Sequence, residues 1–211
     1  VGSDYPFPLG EDVPGALADL IGRQAMATFL SVSDFPRRFV ATVDNLDRSY
    51  APASAWPLNP TPGRFTVREQ EGDTVIAPDN SARYTPLVLL AEAVDVGRAV
   101  DLYVRLYPLL QREYEHLGYP KLSFNDRLVV VIDHLLATPA TAYPVKLTLT
   151  EVKGPVTVLR PWVRYEFADP ALESMSAGQK ILLRIGEANH RRLKAKLAQF
   201  RRELGRRTTP R

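Results

Sequence analysis

The sequence predicts a mainly helical domain, α+β by count: a compact set of helices with a small antiparallel β part. Three observations carry this. Between Asn80 and Thr138 apolar residues return every three or four positions, the spacing of one helix face. Two shorter regions, 64–77 and 145–167, alternate apolar and polar side chains or gather β-branched ones, as strands do. The 211 residues are 45% hydrophobic and 24% charged. A chain of that length can bury roughly 70% of its unfolded surface, so it needs no staple.

Residues 1–11 read as an extended or flexible segment, 12–205 as a single globular domain and 206–211 as a flexible basic tail. Asp12 followed by Pro14 is a helix start, a capping carboxylate and then a proline where no N–H is needed. Leu17, Leu20, Ile21 and Phe29 then face inward on one or two short helices ending at Leu30. Ser33 or Asp34 caps a second start, with Pro36 in its first turn and Phe35, Phe39, Val40, Val43 and Leu46 at helical spacing. Residues 50–63 contain four prolines and form an irregular connection packed through Trp56. A hairpin follows, in which Phe65 and Val67 alternate with polar residues and Val75 and Ile76 come after a turn centred on Gly72.

Leu87, Leu90, Ala91 and Val94 mark one helix, and Ala99, Tyr103, Leu106, Leu110, Tyr114 and Leu117 a longer one. Pro108 should kink the longer helix, because it removes the bond to the Val104 carbonyl. Gly118 is its left-handed stop. The segment SFNDRLVVVIDHLLATP, Ser123 to Pro139, makes the next helix. The two strand regions are expected to share one small sheet. Ser176 and Gln179 stand in capping-box register at the head of a compact helix that Gly186 ends. A last helix runs from Glu187 to about Leu204, with Leu193, Leu197, Phe200 and Leu204 inward.

There is no cysteine, which removes disulfides, thiolate metal sites and cysteine nucleophiles. The longest unbroken apolar run is Leu128–Ile132, far short of the about 20 residues of a membrane span. The chain starts at Val1 and not at Met, so an excised region with an anchor or signal upstream is expected. The net charge of +3 is unevenly spread. Residues 1–80 carry 6 basic and 11 acidic side chains, 81–186 carry 12 and 11, and 187–211 carry 9 and 2. The last segment supplies anion-binding candidates in Arg191, Arg192, Lys194, Lys196, Arg201 and Arg202. Phe200 is its one aromatic residue, too few for base stacking, so nucleic acid is not the expected partner.

Asp126, Arg127, Asp133 and His134 are the catalytic candidates. On a helical wheel they form one stripe, the aspartates on one bearing and Arg127 with His134 about 100° round. The aspartates sit two turns apart, about 10 Å along the axis, too far to share a proton. Ser123 to Asp126 is also the S-x-x-D pattern of a helix cap, which explains Asp126 without chemistry. The stripe is thus either an acid–base site or the polar edge of a core helix. His116 suits the last turn of its helix, and His190 precedes Arg191 and Arg192, whose charge repels a cation. No two histidines share metal-ligand spacing, so no metal is expected. There is no G-x-S-x-G, P-loop or G-x-G-x-x-G, and no cofactor is expected. Tyr-Pro steps at Tyr5, Tyr107, Tyr119 and Tyr143 are either a ligand groove or packing beside chain breaks.

Three strings, Arg37–Leu46, Leu106–Pro139 and Arg164–Gly186, resemble the bacterial domain of unknown function family DUF 3014. The resemblance runs from about residue 14 to residue 204. It implies no reaction and no catalytic residues. It does imply an envelope protein, with an N-terminal membrane helix and a proline-rich linker ahead of this domain. The expected function is therefore a non-catalytic protein-interaction domain on the periplasmic face of the inner membrane. Its partner would be another envelope protein, and its only link to the membrane the anchor. The alternatives are a hydrolase using the Asp/His stripe, or anion binding by the last helix.

Overall fold

The computed structural model describes residues 12–150 and 164–208. Helices α1 (Val13–Ile21) and α2 (Arg23–Phe29) form a short pair hinged at Gly22. The Asp12 carboxylate accepts from the Gly15 N–H at 2.8 Å, as its position before Pro14 predicts. Helix α3 (Phe35–Leu46) starts differently from the expectation. Asp34 is left-handed, with φ 51°, and its side chain makes no cap bond. Only its carbonyl serves, accepting from Arg38 N–H at 2.9 Å. The Arg38 guanidinium instead ties the start of α3 to the irregular connection, donating to the carbonyls of Ser33 and Ser54.

Strands β1 (Val67–Gln70) and β2 (Asp73–Ile76) pair antiparallel with Val67 opposite Ile76. Glu71 and Gly72 between them both have positive φ, the two-residue turn whose twist matches that of the strands. Asn80, fully buried, fastens this hairpin to α4 (Asp79–Ala93). Its Oδ1 accepts from Thr66 N–H at 3.0 Å, and its amide donates to the carbonyls of Ala77 and Thr66. Helix α5 (Val96–His116) is capped by Asp95 and runs through Pro108 as one helix. Gly118 follows it at φ 107°.

Helix α6 (Phe124–Leu136) comes next, then β3 (Leu147–Leu149) and β4 (Tyr165–Phe167), antiparallel with Leu147 opposite Phe167. The strands expected between residues 151 and 163 lie outside the described residues. The two hairpins do not merge into one sheet. A single bridge, Val75 with Lys146, and the bond from Ile76 N–H to Val145 O join them. An ion pair between Lys146 and Asp73 adds a side-chain link, and among the described residues β1 is the one strand fully paired with β2.

Helix α7 (Pro170–Glu173) leads to α8 (Ala177–Arg184), which carries the expected capping box. Gln179 N–H donates to Ser176 Oγ at 3.3 Å and Ser176 N–H to Gln179 Oε1 at 3.4 Å. Gly186 turns at φ 91°, where an added Cβ would also meet Ser81 Cβ at 2.5 Å. Helix α9 (Glu187–Thr208) outruns its expected end. Arg207 explains the extension, pairing with Asp101 of α5 and with Glu203 one turn back. Residues 206–208, expected as flexible tail, are helical. Residues 1–11 and 209–211 lie outside the described residues.

Helices α3 and α9 each pack against both α5 and α6, and this set holds the main core. Outside it, α4 packs on α9, and α8 on α3 and α9. A second core of Ile76, Val145, Leu147, Phe167 and Leu183 sits between the hairpins and α8. Among the described residues no helix is long and apolar enough to cross a membrane.

Candidate functional site

The stripe on α6 disperses among separate neighbours. At its head, Ser123 Oγ accepts from Asp126 N–H at 3.2 Å. Asp126 itself is exposed in the first turn, where a negative charge complements the helix dipole. Val130, set into the stripe, is 55% exposed. Asp133 reaches across to α9, accepting from Arg201 Nε at 2.9 Å and Arg201 Nη2 at 3.2 Å. His134 is half-buried on the side of α8, where its carbonyl accepts from Gln179 at 3.4 Å and its Nε2 has no partner among the described residues. The aspartates and the histidine do not converge on a common space.

Arg127 turns into the α3–α6 interface. It donates to both oxygens of Asp47, at 2.7 and 2.5 Å, to Asp44 Oδ1 at 3.0 Å and to the Asp44 carbonyl at 2.6 Å. Arg48 holds the other Asp44 oxygen at 2.7 Å and donates to the Tyr119 hydroxyl at 2.7 Å. Burial works against the charge of Arg127, but Asp47 and Asp44 outweigh it and hold its pKa above the ordinary value. The Tyr119 bond and Asp44 likewise raise Arg48. Both carboxylates and all three nitrogens of the Arg127 guanidinium are already bonded, so the chemistry of this knot is that of a clamp between helices.

The basic helix is also largely occupied. Lys194 donates to the Thr138 carbonyl beyond the end of α6, and Lys196 to the carbonyls of Glu92 and Val94 at the end of α4. Arg201 holds Asp133, and Arg192 stands 3.9 Å from Glu92. Arg191 and Arg202 are exposed, with no ion pair among the described residues. His116 is exposed 3.8 Å from Glu113. His190 is buried, its Nε2 has no partner among the described residues, and burial and then Lys194 push its pKa down. Among the described residues no group of three side chains could hold a metal ion. Tyr5 lies outside the described residues, and the other three Tyr-Pro steps do not gather: Tyr119 belongs to the Asp44 knot, Tyr107 bonds Gln111 and Ser123, and Tyr143 donates to the Leu183 carbonyl.

Two concave features stand out among the described residues. The larger is a half-open space of about 360 Å³ between α3, α5, α6 and α9, touched by Leu17 of α1. Its walls are the periodic positions themselves: Phe35, Phe39, Val43 and Leu46 of α3, then Leu128, Val131, Ile132 and Leu135 of α6. Leu197 and Phe200 of α9 and five residues of α5 between Ala99 and Leu110 complete them. Tyr103 carries a hydroxyl in this wall, which donates to Asn125 Oδ1 at 3.2 Å. Burial drives the Tyr103 pKa far up, with Tyr107 and Asp126 adding to it. The smaller feature is a surface depression of about 300 Å³ lined by Asp34, Arg37, Arg38, Ala41, Ser54, Ala55 and Leu117.

A family model described as a protein of unknown function, DUF3014, matches residues 35–201. The chain belongs to the DUF3014 family. No curated protein and no solved structure matches it. In this DUF3014 domain, α1 and α2 precede the matched region, whereas the Asp44 knot, α5, α6 and most of α9 fall within it.

Sequence reasoning missed Asp44, Asp47 and Arg48 of the DUF3014 domain. The signal was available. Asp44 is four residues after the fully buried Val40 and sits beside Val43, on the apolar face of α3. A carboxylate on such a face calls for a cation from a neighbouring helix.

Proposed function

We propose that this domain is a non-catalytic interaction module of an envelope protein, tethered by an N-terminal anchor to the periplasmic face of the inner membrane. One observation carries the interaction part. At the turn from α5 to α6, Leu117 is 40% exposed and Leu122 55% exposed. Leu117 also forms a wall of the 300 Å³ depression beside Arg37. Arg38 is committed to neighbouring carbonyls, which leaves Arg37, exposed and without an ion pair among the described residues, as the available cation. A partner segment with an apolar side chain next to an acidic one fits this surface. The dispersal of the α6 stripe into separate helix contacts supports the non-catalytic part. The tether rests on the resemblance to anchored family members.

Photocrosslinking in cells tests the reading. A photoreactive residue at Leu117 or Leu122 of the full-length anchored protein should give one discrete adduct with an envelope protein. The same residue at Leu149 should not, and Arg37→Glu should weaken the adduct. Equal adducts at all three positions, or none at Leu117 and Leu122, overturn the proposal.

A further inference from the structure

We infer that the apolar space between α3, α5, α6 and α9 is a binding slot for one unbranched hydrocarbon chain. The reasoning is independent of the interaction surface above. The lining carries no charged side chain, and its hydroxyl, that of Tyr103, is already bonded to Asn125. A sugar, nucleotide or amino acid placed there would lose its hydration and receive few bonds in return. A hydrocarbon has no such bonds to lose, and dry apolar cavities in other proteins take up apolar guests.

The shape selects a chain over a bulky ring system. Lining residues run along α5 from Ala99 to Leu110 and along α3 from Phe35 to Leu46. At 1.5 Å per residue each run is about 16 Å long. A volume of about 360 Å³ spread over that length is a slot about as wide as a single polymethylene chain. An extended chain with carbon–carbon bonds of about 1.5 Å advances roughly 1.3 Å per carbon, so the slot holds about a dozen carbons. There is room for one chain and not two, which favours a single-chain amphiphile over a diacyl lipid. The size also lies within the range of natural ligand pockets.

The test uses the full 211-residue chain and the fluorescent probe trans-parinaric acid, an unbranched polyene chain. The wild type should bind and brighten the probe. Dodecan-1-ol should displace it at least tenfold more effectively than butan-1-ol, and monomeric dioctanoylphosphatidylcholine, kept below its micelle concentration, should not displace it. Ala99→Phe and Val131→Phe fill the slot from different walls. Each should cut probe binding at least tenfold while leaving the thermal midpoint equal to or above that of the wild type. The inference is overturned if the wild type does not bind the probe, or if both filled variants bind it as well as the wild type does. It is also overturned if displacement ignores chain length, if monomeric dioctanoylphosphatidylcholine competes as well as dodecanol, or if both fillers lower the midpoint.

Discussion

At the scale of single residues, two ion pairs on one helix make opposite predictions. Asp44 is 6% exposed and holds two arginines, whereas Asp133 is more than half exposed and holds one. Removing one partner of a buried pair strands the other charge and costs about 3–5 kcal/mol. An exposed pair is worth about 0–1 kcal/mol. Asp44→Leu should therefore lower the unfolding free energy by about 3 kcal/mol and Asp133→Ala by less than about 1 kcal/mol. Denaturant titration of the two variants checks both values. His190 supplies a pH prediction. Its folded pKa lies below the ordinary 6.5, so the folded state favours the neutral ring. Its contribution is complete above pH 6.5 and is lost as pH falls through 6.5 towards the lower folded value. His190→Leu should remove that part of the acid-side decline, seen as a shallower fall of thermal midpoint between about pH 7 and 5. Sequence reading failed at this scale because a wheel shows only which residues share a bearing. It placed Arg127 beside His134, but the direction of Arg127 is set by Asp44 and Asp47, some 80 residues away in the chain.

At the scale of elements the sequence was far more legible. Tyr103, Leu106, Leu110 and Tyr114 of α5 and the four positions named for α9 do belong to or pack against the main core, because a 3.6-residue repeat has one way to be buried, whereas Leu117 at the end of α5 is 40% exposed. The caps at Asp12, Ser123 and Ser176 and the stops at Gly118 and Gly186 were also readable, since each satisfies backbone groups within a few residues of itself. Sheet pairing was less readable: whether β2 meets β3 depends on a chain path that local pattern does not encode. Packing between α8 and α3 was invisible for a similar reason. A Cβ on Gly178 would lie 2.6 Å from Leu135 Cδ2 and 2.8 Å from the Leu46 carbonyl oxygen. The carbonyl is backbone and cannot step aside as a side-chain tip can. Gly178→Ala should thus destabilise by about 1–3 kcal/mol despite the better helix propensity of alanine, and thermal melting will show whether it does.

At the scale of the whole molecule, the lopsided charge resolves into internal pairing. The basic C-terminal segment meets Glu92, Asp101 and Asp133 on three different helices. Of the six cations proposed for anion binding, Arg192 and Arg201 face carboxylates and Lys194 and Lys196 donate to backbone carbonyls, which leaves Arg191 and Arg202 exposed without such contacts among the described residues. Binding to anionic vesicles or DNA through this helix should then be weak, with a log–log salt slope reflecting about two charges and not six. A slope near six would mean that the helix surrenders its internal contacts on binding.

Helix α9 also fixes when the domain can close. Its lysines and arginines bond to residues 56 to 106 positions earlier in the chain, on α4, α5 and just beyond α6. Until α9 has left the ribosome, those helices lack both their closing wall and the cations that cover their terminal carbonyls. The domain is thus held open until α9 emerges, and it stays available to chaperones for that long.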